Sequence, residues 1–301
     1  MKSGRFIIIS LCLMTSCFLW SSPSLARAVT DQLGRRVRLP DNPERVVALA
    51  PSITEIIFAL GQEHRLKGVT IYSDHPVAAQ KLPKVGSYVR LDLEKIVALR
   101  PDLCIAVKDG NPKEVVERLQ DLKIPVYAVD PRNLDTVMDT IREIGELLDA
   151  NESAEKLIRN MKLRIQRIKK RALQSEHTPR IFFQIGISPI VSVGTDTFIH
   201  EIILLAGGKN LAEGLVSYPR FSREQVISLS PDIIIITPMT AGAAFAKVKA
   251  QWNRWPTIPA VQKGRIYLAD SDLFDRPSPR LVDALEVLAR LIHPELFEET
   301  P

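Results

Sequence analysis

The chain of 301 residues is 46% hydrophobic and 25% charged, a globular balance with length enough for two cores, which sets aside disordered and fibrous classes. Its formal charge of +5 falls to +2 without residues 1–28, because Lys2, Arg5 and Arg27 go and no acid does, so no basic excess argues for nucleic acid. Of three cysteines, Cys12 and Cys17 precede residue 28 and Cys104 stands alone, which excludes an intramolecular disulfide or a cysteine-built metal site in the remaining chain.

Residues 1–28 read as an export leader. Lys2 and Arg5 precede an apolar run over 6–20 that is too short to span a bilayer comfortably, and small residues follow at Ala26 and Ala28. Cleavage is expected near Ala28. Met14-Thr15-Ser16-Cys17 also resembles a lipobox, so a lipid anchor at Cys17 is the alternative. Further along, residues 45–50 form an apolar strand that runs into Pro51-Ser52, with Ser52 placed to cap a helix from Ile53. Other strands are expected at 103–107, 126–129, 181–184, 233–237 and 266–269. Segments of helical period lie between them, at 93–99, 112–122, 198–206, 224–229, 243–251 and 281–291. Continuously apolar strands alternating with helices predict an α/β fold with parallel sheets covered on both faces.

Residues 87–107, SYVRLDLEKIVALRPDLCIAV, recur at 217–237 as SYPRFSREQVISLSPDIIIIT, an ungapped offset of 130 with eight identities in 21 positions. Glu55-Ile56-Ile57 with Gly61 recurs as Glu201-Ile202-Ile203 with Gly207, at an offset of 146. Solenoid periods run about 20–50 residues, so spacings this long imply duplicated domains. Between the copies, residues 134–148 carry Val137, Ile141, Ile144 and Leu148 at helical spacing. A break at 149–151 follows, and residues 153–173 continue with Leu157, Met161, Ile165 and Ile168. The basic residues of this second helix (Arg159, Lys162, Arg164, Arg167, Lys169, Lys170, Arg171) read as a solvated face above an unbroken apolar stripe, not as a nucleic-acid patch. The expected organisation is a leader (1–28), an N-terminal α/β lobe (29–133), a helical region with a stiff linker helix (134–174) and a C-terminal α/β lobe (175–301).

Enzyme signatures are missing. G-x-G-x-x-G, the P-loop and G-x-S-x-G do not occur, and His200-Glu201 lacks the second histidine of a zinc-protease motif because Leu204 stands there. The five histidines are scattered, so no bound metal is expected. What the chain does offer is an aromatic and polar set at strand-to-helix loops, where open α/β sheets bind ligands. Tyr72 follows an apolar run, Tyr88 and Arg90 precede the first repeat helix, and Tyr218 and Arg220 precede the second. Asp272, Phe274, Asp275 and Arg276 fall between the last strand and the last helix. Two facing lobes would set these loops across one cleft, tyrosines supplying flat contact and arginines anionic recognition.

RVVALAPSITEIIFALG, the 87–107 segment and SDLFDRPSPRLVDALEVLA together resemble the substrate-binding proteins of helix-linked (class III) ABC importers, over nearly all of the chain beyond the leader. The resemblance is nearest to the cobalamin-binding members, with siderophore- and haem-binding relatives behind them. It implies two Rossmann-like lobes joined by a backbone helix, a ligand cleft between them with little closure, and no catalysis or permanent cofactor. It also implies a periplasmic monomer that delivers a corrinoid or ferric chelate to a membrane permease dimer with its ATPase subunits. Cleft aromatics fall on Tyr72, Tyr88 and Tyr218, the latter two where tryptophan is expected; the polar edge falls on Asp272 and Asp275-Arg276. A further cleft tryptophan is replaced by Val107. One permease-docking glutamate per lobe falls on Glu94 and Glu224; read from the residues alone, each is a first-turn carboxylate facing its helix dipole. The competing classes are a direct metal-ion receptor and an exported chelatase-like enzyme, which would need His75, the one histidine near a cleft loop.

Overall fold

The computed structural model describes residues 26–237 and 243–297. An antiparallel hairpin of β1 (Ala26–Thr30) and β2 (Arg36–Pro40) precedes the first lobe. The leader expected over 1–28 therefore overlaps β1 in its last three residues; the remainder, with Cys17, lies outside the described residues. β3 (Val46–Ala48) is buried on both faces, Val46 and Ala48 in one core cluster and Val47 in another. α1 (Pro51–Ala59) follows. It begins at Pro51, not Ile53, because proline at the first helical position has a preset φ and no N–H to satisfy. Ser52 is consequently inside the helix, buried, and caps nothing.

The lobe continues with β4 (Leu66–Gly68), the short pair β5 (Gly86–Ser87) and β6 (Arg90–Leu91), α2 (Leu93–Ala98), β7 (Leu103–Val107), α3 (Lys113–Asp121) and β8 (Val126–Val129). Its sheet is parallel throughout, in the order β4-β3-β7-β8. α4 (Leu134–Leu147), opened by an Asn133 capping box, and α5 (Asn151–Ala172) follow; Asp149, in the left-handed region at φ 54°, makes the break between them.

The second lobe comprises β9 (Arg180–Ile187), β10 (Ile190–Ser192), α6 (Phe198–Leu205), β11 (Lys209–Asn210), β12 (Arg220–Phe221), α7 (Arg223–Leu229) and β13 (Ile233–Ile236). It ends with α8 (Ala243–Trp252), α9 (Pro259–Gln262), β14 (Ile266–Leu268), α10 (Ser271–Phe274), α11 (Leu281–Ile292) and α12 (Pro294–Phe297). This sheet is mixed where parallel strands were expected. β9 pairs in parallel with β11 and β13, and β13 with β14, but β10 runs antiparallel to both β9 and β12. Only residues 188 and 189 separate β9 from β10, and so short a connection makes a hairpin.

The sequence repeat is a structural repeat. β6, α2 and β7 correspond to β12, α7 and β13 at the same offset of 130. In each copy the aspartate of the Pro-Asp turn accepts from the start of the lobe's central strand: Asp102 from the Glu44 and Arg45 amides, Asp232 from that of Arg180. The arginine at that strand's start returns to the carbonyls ending the repeat helix, Arg45 to Leu99 and Arg100, Arg180 to Leu229 and Ser230. Arg100 and Ser230 both end their helices with positive φ, 47° and 46°. Pro-Asp is thus a scaffold device, closing helix to strand twice.

The outer face of each sheet has its own core, but the inner faces share one. A single cluster runs from Val46 and Ile105 through Ile141 of α4 and Ile158 of α5 to Ile181, Phe183 and Leu285. The lobes are therefore packed on one another through α4 and α5, not merely strung on a linker.

Candidate functional site

A cavity of about 510 Å³ opens between the lobes, outside the carboxyl ends of β3, β7 and β8 on one side and beside α6 and α10 on the other. Tyr72 and Tyr88 form one aromatic wall, their rings edge to face with centroids 6.0 Å apart, and Tyr218 lines the opposite lobe. Tyr72 and Tyr88 are held through the backbone of their loops. The Thr54 hydroxyl donates to Ser73 Oγ (3.0 Å), and the Lys84 ammonium donates to the Ser73 carbonyl, fixing the Tyr72 loop. Asn111 Nδ2 donates to the carbonyls of Leu49 and Tyr88, each at 2.8 Å, and its Oδ1 accepts from the Val107 amide, tying the Tyr88 loop to two strand ends. Gly110, at φ +138°, lets the Tyr88 ring lie flat on the chain; a Cβ there would come within 3.0 Å of it. Burial raises the pKa of both Tyr88 and Tyr218, so the phenols stay protonated at neutral pH.

Four carboxyl residues line this cavity, Asp109, Asp130, Asp272 and Asp275, and among the described lining residues the one cation is Arg276. Its guanidinium is already engaged. Nη1 donates to Glu55 Oε1 (3.0 Å) and Asp74 Oδ1 (2.8 Å), and Nη2 pairs with Asp272. Glu55, almost wholly buried on α1, also accepts from Ser278 Oγ (2.6 Å) and from Arg280 (3.3 Å). Arg276 is thus a bridge between lobes that positions Asp272, more than a free anion receptor. On the opposite side of the cleft, Arg132 pairs with Asp109 (3.3 Å) and Asp130 (3.0 Å).

Asp275 is the uncommitted acid. Its Oδ1 is shut off from solvent and has no hydrogen-bond partner among the described residues. The Thr237 hydroxyl beside it is equally unpartnered, the two lacking a hydrogen bond of good geometry. Burial pushes the Asp275 carboxyl up to about 7, with Asp272 and Asp270 adding to the rise. Asp275 therefore lines the cleft with a carboxyl whose pKa burial raises, backed by the fully buried Thr237 hydroxyl.

Of the sequence-predicted residues, Tyr72, Tyr88, Tyr218, Asp272, Asp275 and Arg276 meet at this cavity, and Val107 lines it too. Phe274 does not: it is fully buried in the core, its ring 5.8 Å from that of Phe183. Arg90 and Arg220 are exposed on two-residue strands and lie outside the lining of this cavity. His75 is exposed and also outside it. Glu94 and Glu224 are exposed in the first turns of α2 and α7, Glu224 beside the capping box of Ser222 and Gln225. Sequence reasoning missed Asp109, Asp130 and Phe198 in the lining, and Glu55 behind it. Asp109 and Asp130 were findable, since each directly follows or nearly follows a predicted strand end.

Residues 46–273 match the family model for periplasmic binding proteins. Among curated proteins, the chain is 31% identical over 268 residues to a vitamin B12-binding protein of Yersinia pestis (strain Pestoides F), covering 88% of this chain and 92% of that one. It is also 31% identical over 277 residues to an ABC transporter substrate-binding lipoprotein of Bacillus subtilis (strain 168), covering 90% and 87% respectively. Among solved structures, the periplasmic vitamin B12 binding protein of Vibrio cholerae superposes with a TM-score of 0.75 at 30% identity, covering 85% of this chain and 98% of that one. A periplasmic heme binding protein from Pseudomonas aeruginosa gives 0.77 at 27% identity, covering 84% and 94%.

The Asp275 environment makes a stability prediction. The folded protein holds this proton up to about 7, whereas an unfolded aspartate releases it near its ordinary value of 3.8. Across that window the native state binds the extra proton, so the group's contribution to stability falls as pH rises. Asp275→Asn removes the fall. Thermal melts from about pH 5 to pH 8 should show the variant gaining on the parent by at least about 1 kcal/mol, roughly one pKa unit's worth. Parallel curves would contradict the assignment.

Proposed function

The chain belongs to the periplasmic binding protein family, and on that premise we propose that its cleft captures a corrinoid for an ABC importer. It is a substrate-binding protein of that transport class, as its relatives are. The observation that carries the ligand assignment is the pairing of aromatic walls with carboxyl groups and no uncommitted cation in the described lining. A corrinoid is a broad macrocycle edged with neutral primary amides. Its faces suit Tyr72, Tyr88 and Tyr218, and its amide N–H groups suit Asp272 and Asp275. Haem is the second reading, favoured by likeness to a haem-binding structure and by tyrosines able to ligate iron. Its two propionates, however, would meet Asp109, Asp130, Asp272 and Asp275 in a lining where Arg276 and the neighbouring Arg132 are already paired. Anionic ferric chelates meet the same repulsion. The named relatives that bind vitamin B12 support the corrinoid reading.

In this reading the exported chain works in the periplasm as a monomer and hands its ligand to a permease dimer driven by ATPase subunits. A dimer presents two related surfaces, and the repeat gives the receptor two related glutamates. Glu94 and Glu224 are exposed, 130 residues apart, on equivalent helices. The Glu224 backbone N–H and the Ser222 hydroxyl hold the Glu224 carboxyl below the usual range, keeping it charged. Each is assigned to one half of the permease.

Titration of the purified protein with cobalamin, haemin and a ferric citrate chelate tests the ligand. Cobalamin is expected to bind in the micromolar range or tighter, with affinity falling about tenfold or more in Tyr88→Ala or Tyr218→Ala. Binding of haemin alone would overturn the corrinoid assignment. For docking, Glu94→Ala with Glu224→Ala should abolish most uptake while leaving ligand affinity intact; undiminished uptake would remove the docking role.

A further inference from the structure

From Lys156 to Ser175 the chain carries eight basic residues and no acid. This is most of α5, a rod of about 33 Å. Its inner face is used: Ala154, Ile158, Met161 and Ile168 are buried in the shared core, and Ala172 is buried beyond them. The outward face is different. Lys156, Arg159, Leu163, Arg167 and Lys170 succeed one another at spacings of three and four residues, which places them in one line along the helix. All five are exposed, Leu163 by 63%, and Leu173 is 75% exposed at the end of that line.

Few of these charges are answered. Arg164 pairs with Asp283 (2.7 Å) and Glu286 (3.0 Å), and Arg171 lies over the Phe297 ring. Among the described residues, no carboxylate lies within ion-pairing distance of Lys156, Arg159, Lys162, Arg167, Lys169 or Lys170. The last turn gains from facing the helix dipole, but that favours only Lys169, Lys170 and Arg171 and says nothing of Lys156 to Arg167.

The start of the described chain points to the occupant. Arg27 on β1 donates to the carbonyls of Glu146 (2.9 Å) and Leu147 (3.1 Å), at the end of α4 and just before α5 begins. Whatever precedes Ala26 therefore joins the fold beside the first turn of α5. Cys17, the residue a lipid anchor would use, stands nine positions before Ala26, at most about 30 Å along an extended chain. No residue of α5 lines the cleft.

We propose that the outward face of α5 is a docking surface for an anionic lipid bilayer. Its lysines and arginines meet headgroup phosphates, and Leu163 and Leu173 enter the interface between them, as on surface-lying basic helices. Contact along α5 leaves the cleft open while holding the receptor near the membrane that carries its permease. The surface is independent of which ligand the cleft takes.

The test uses the chain without residues 1–25, so that neither the apolar leader nor an acyl chain contributes while β1 and Arg27 stay in place. Co-sedimentation is measured with vesicles of phosphatidylcholine alone and with about one-third phosphatidylglycerol. Binding to the anionic vesicles should exceed that to neutral ones by at least about tenfold and fade as salt is raised. It should be lost in Arg159→Glu/Lys162→Glu/Arg167→Glu and reduced in the corresponding triple glutamine variant, both melting with the parent. Leu163→Ser should weaken it less. Equal sedimentation with both vesicle types, or full binding by the charge-reversed variant, would overturn the proposal. Either result leaves the cobalamin titration unaffected.

Discussion

The architecture depends on two carboxylates that reach across between the lobes, Glu55 buried and Glu201 half-buried. Glu55, on the first helix of the N-terminal lobe, accepts from Ser278, Arg276 and Arg280 at the start of α11, the helix leaving the C-terminal lobe. Glu201, on the first helix of the C-terminal lobe, accepts from the Leu134 amide at 2.6 Å, the start of α4, the helix leaving the N-terminal lobe. These are the glutamates of the Glu-Ile-Ile repeat, at an offset of 146. Each lobe thus lends a carboxylate to the segment that opens a helix of the other, Glu55 to side chains before α11 and Glu201 to the first amide of α4, in a reciprocal clamp. Leaving the buried Glu55 carboxylate without its partners costs about 3–5 kcal/mol, and the half-buried Glu201 adds a hydrogen bond at the other end. The shared core beneath α4 and α5 adds a second restraint.

Fixing the lobes fixes the cleft. Tyr72 and Tyr88 stand on one lobe and Tyr218 on the other, so their separation is set by the clamp and not by loop mobility. The Glu55 cluster also consumes the cation that would otherwise face the ligand, leaving the wall with an acidic balance. The inter-lobe contact and the charge of the cleft wall therefore come from the same ion network. Duplication serves both ends: Pro-Asp closes helix to strand in each copy, and Glu94 and Glu224 project from matching first turns.

Much of the fold was legible because its signals are local and long. Continuous apolar strands, helical periods and the 130-residue echo each span enough residues to resist chance. The misassigned site residues sit where a single turn or a two-residue strand decides which way a side chain points. Around α10, Asp272 and Arg276 just beyond its end stand four apart and share the cleft side, while Phe274, two residues from each, turns to the core against Phe183. On β6 the burial of Leu91 sends Arg90 outward, an alternation too short to detect in sequence. The β9–β10 hairpin was hidden for the same reason. The Glu55–Arg276 bridge joins residues 221 apart and left no local signal at all, although the repeated Glu-Ile-Ile marked both clamping residues before their role was visible.

The reciprocal clamp is tested most directly by distance measurements between the lobes. Spin labels at Glu117→Cys in α3 and Lys247→Cys in α8, with Cys104 buried and unreactive, report the inter-lobe separation by pulsed electron resonance. The ligand-free protein should give one narrow distance distribution, and Glu55→Gln with Glu201→Gln should broaden it or shift it outward. A broad distribution in the parent, or a narrow one that the double variant leaves unchanged, would contradict the clamp.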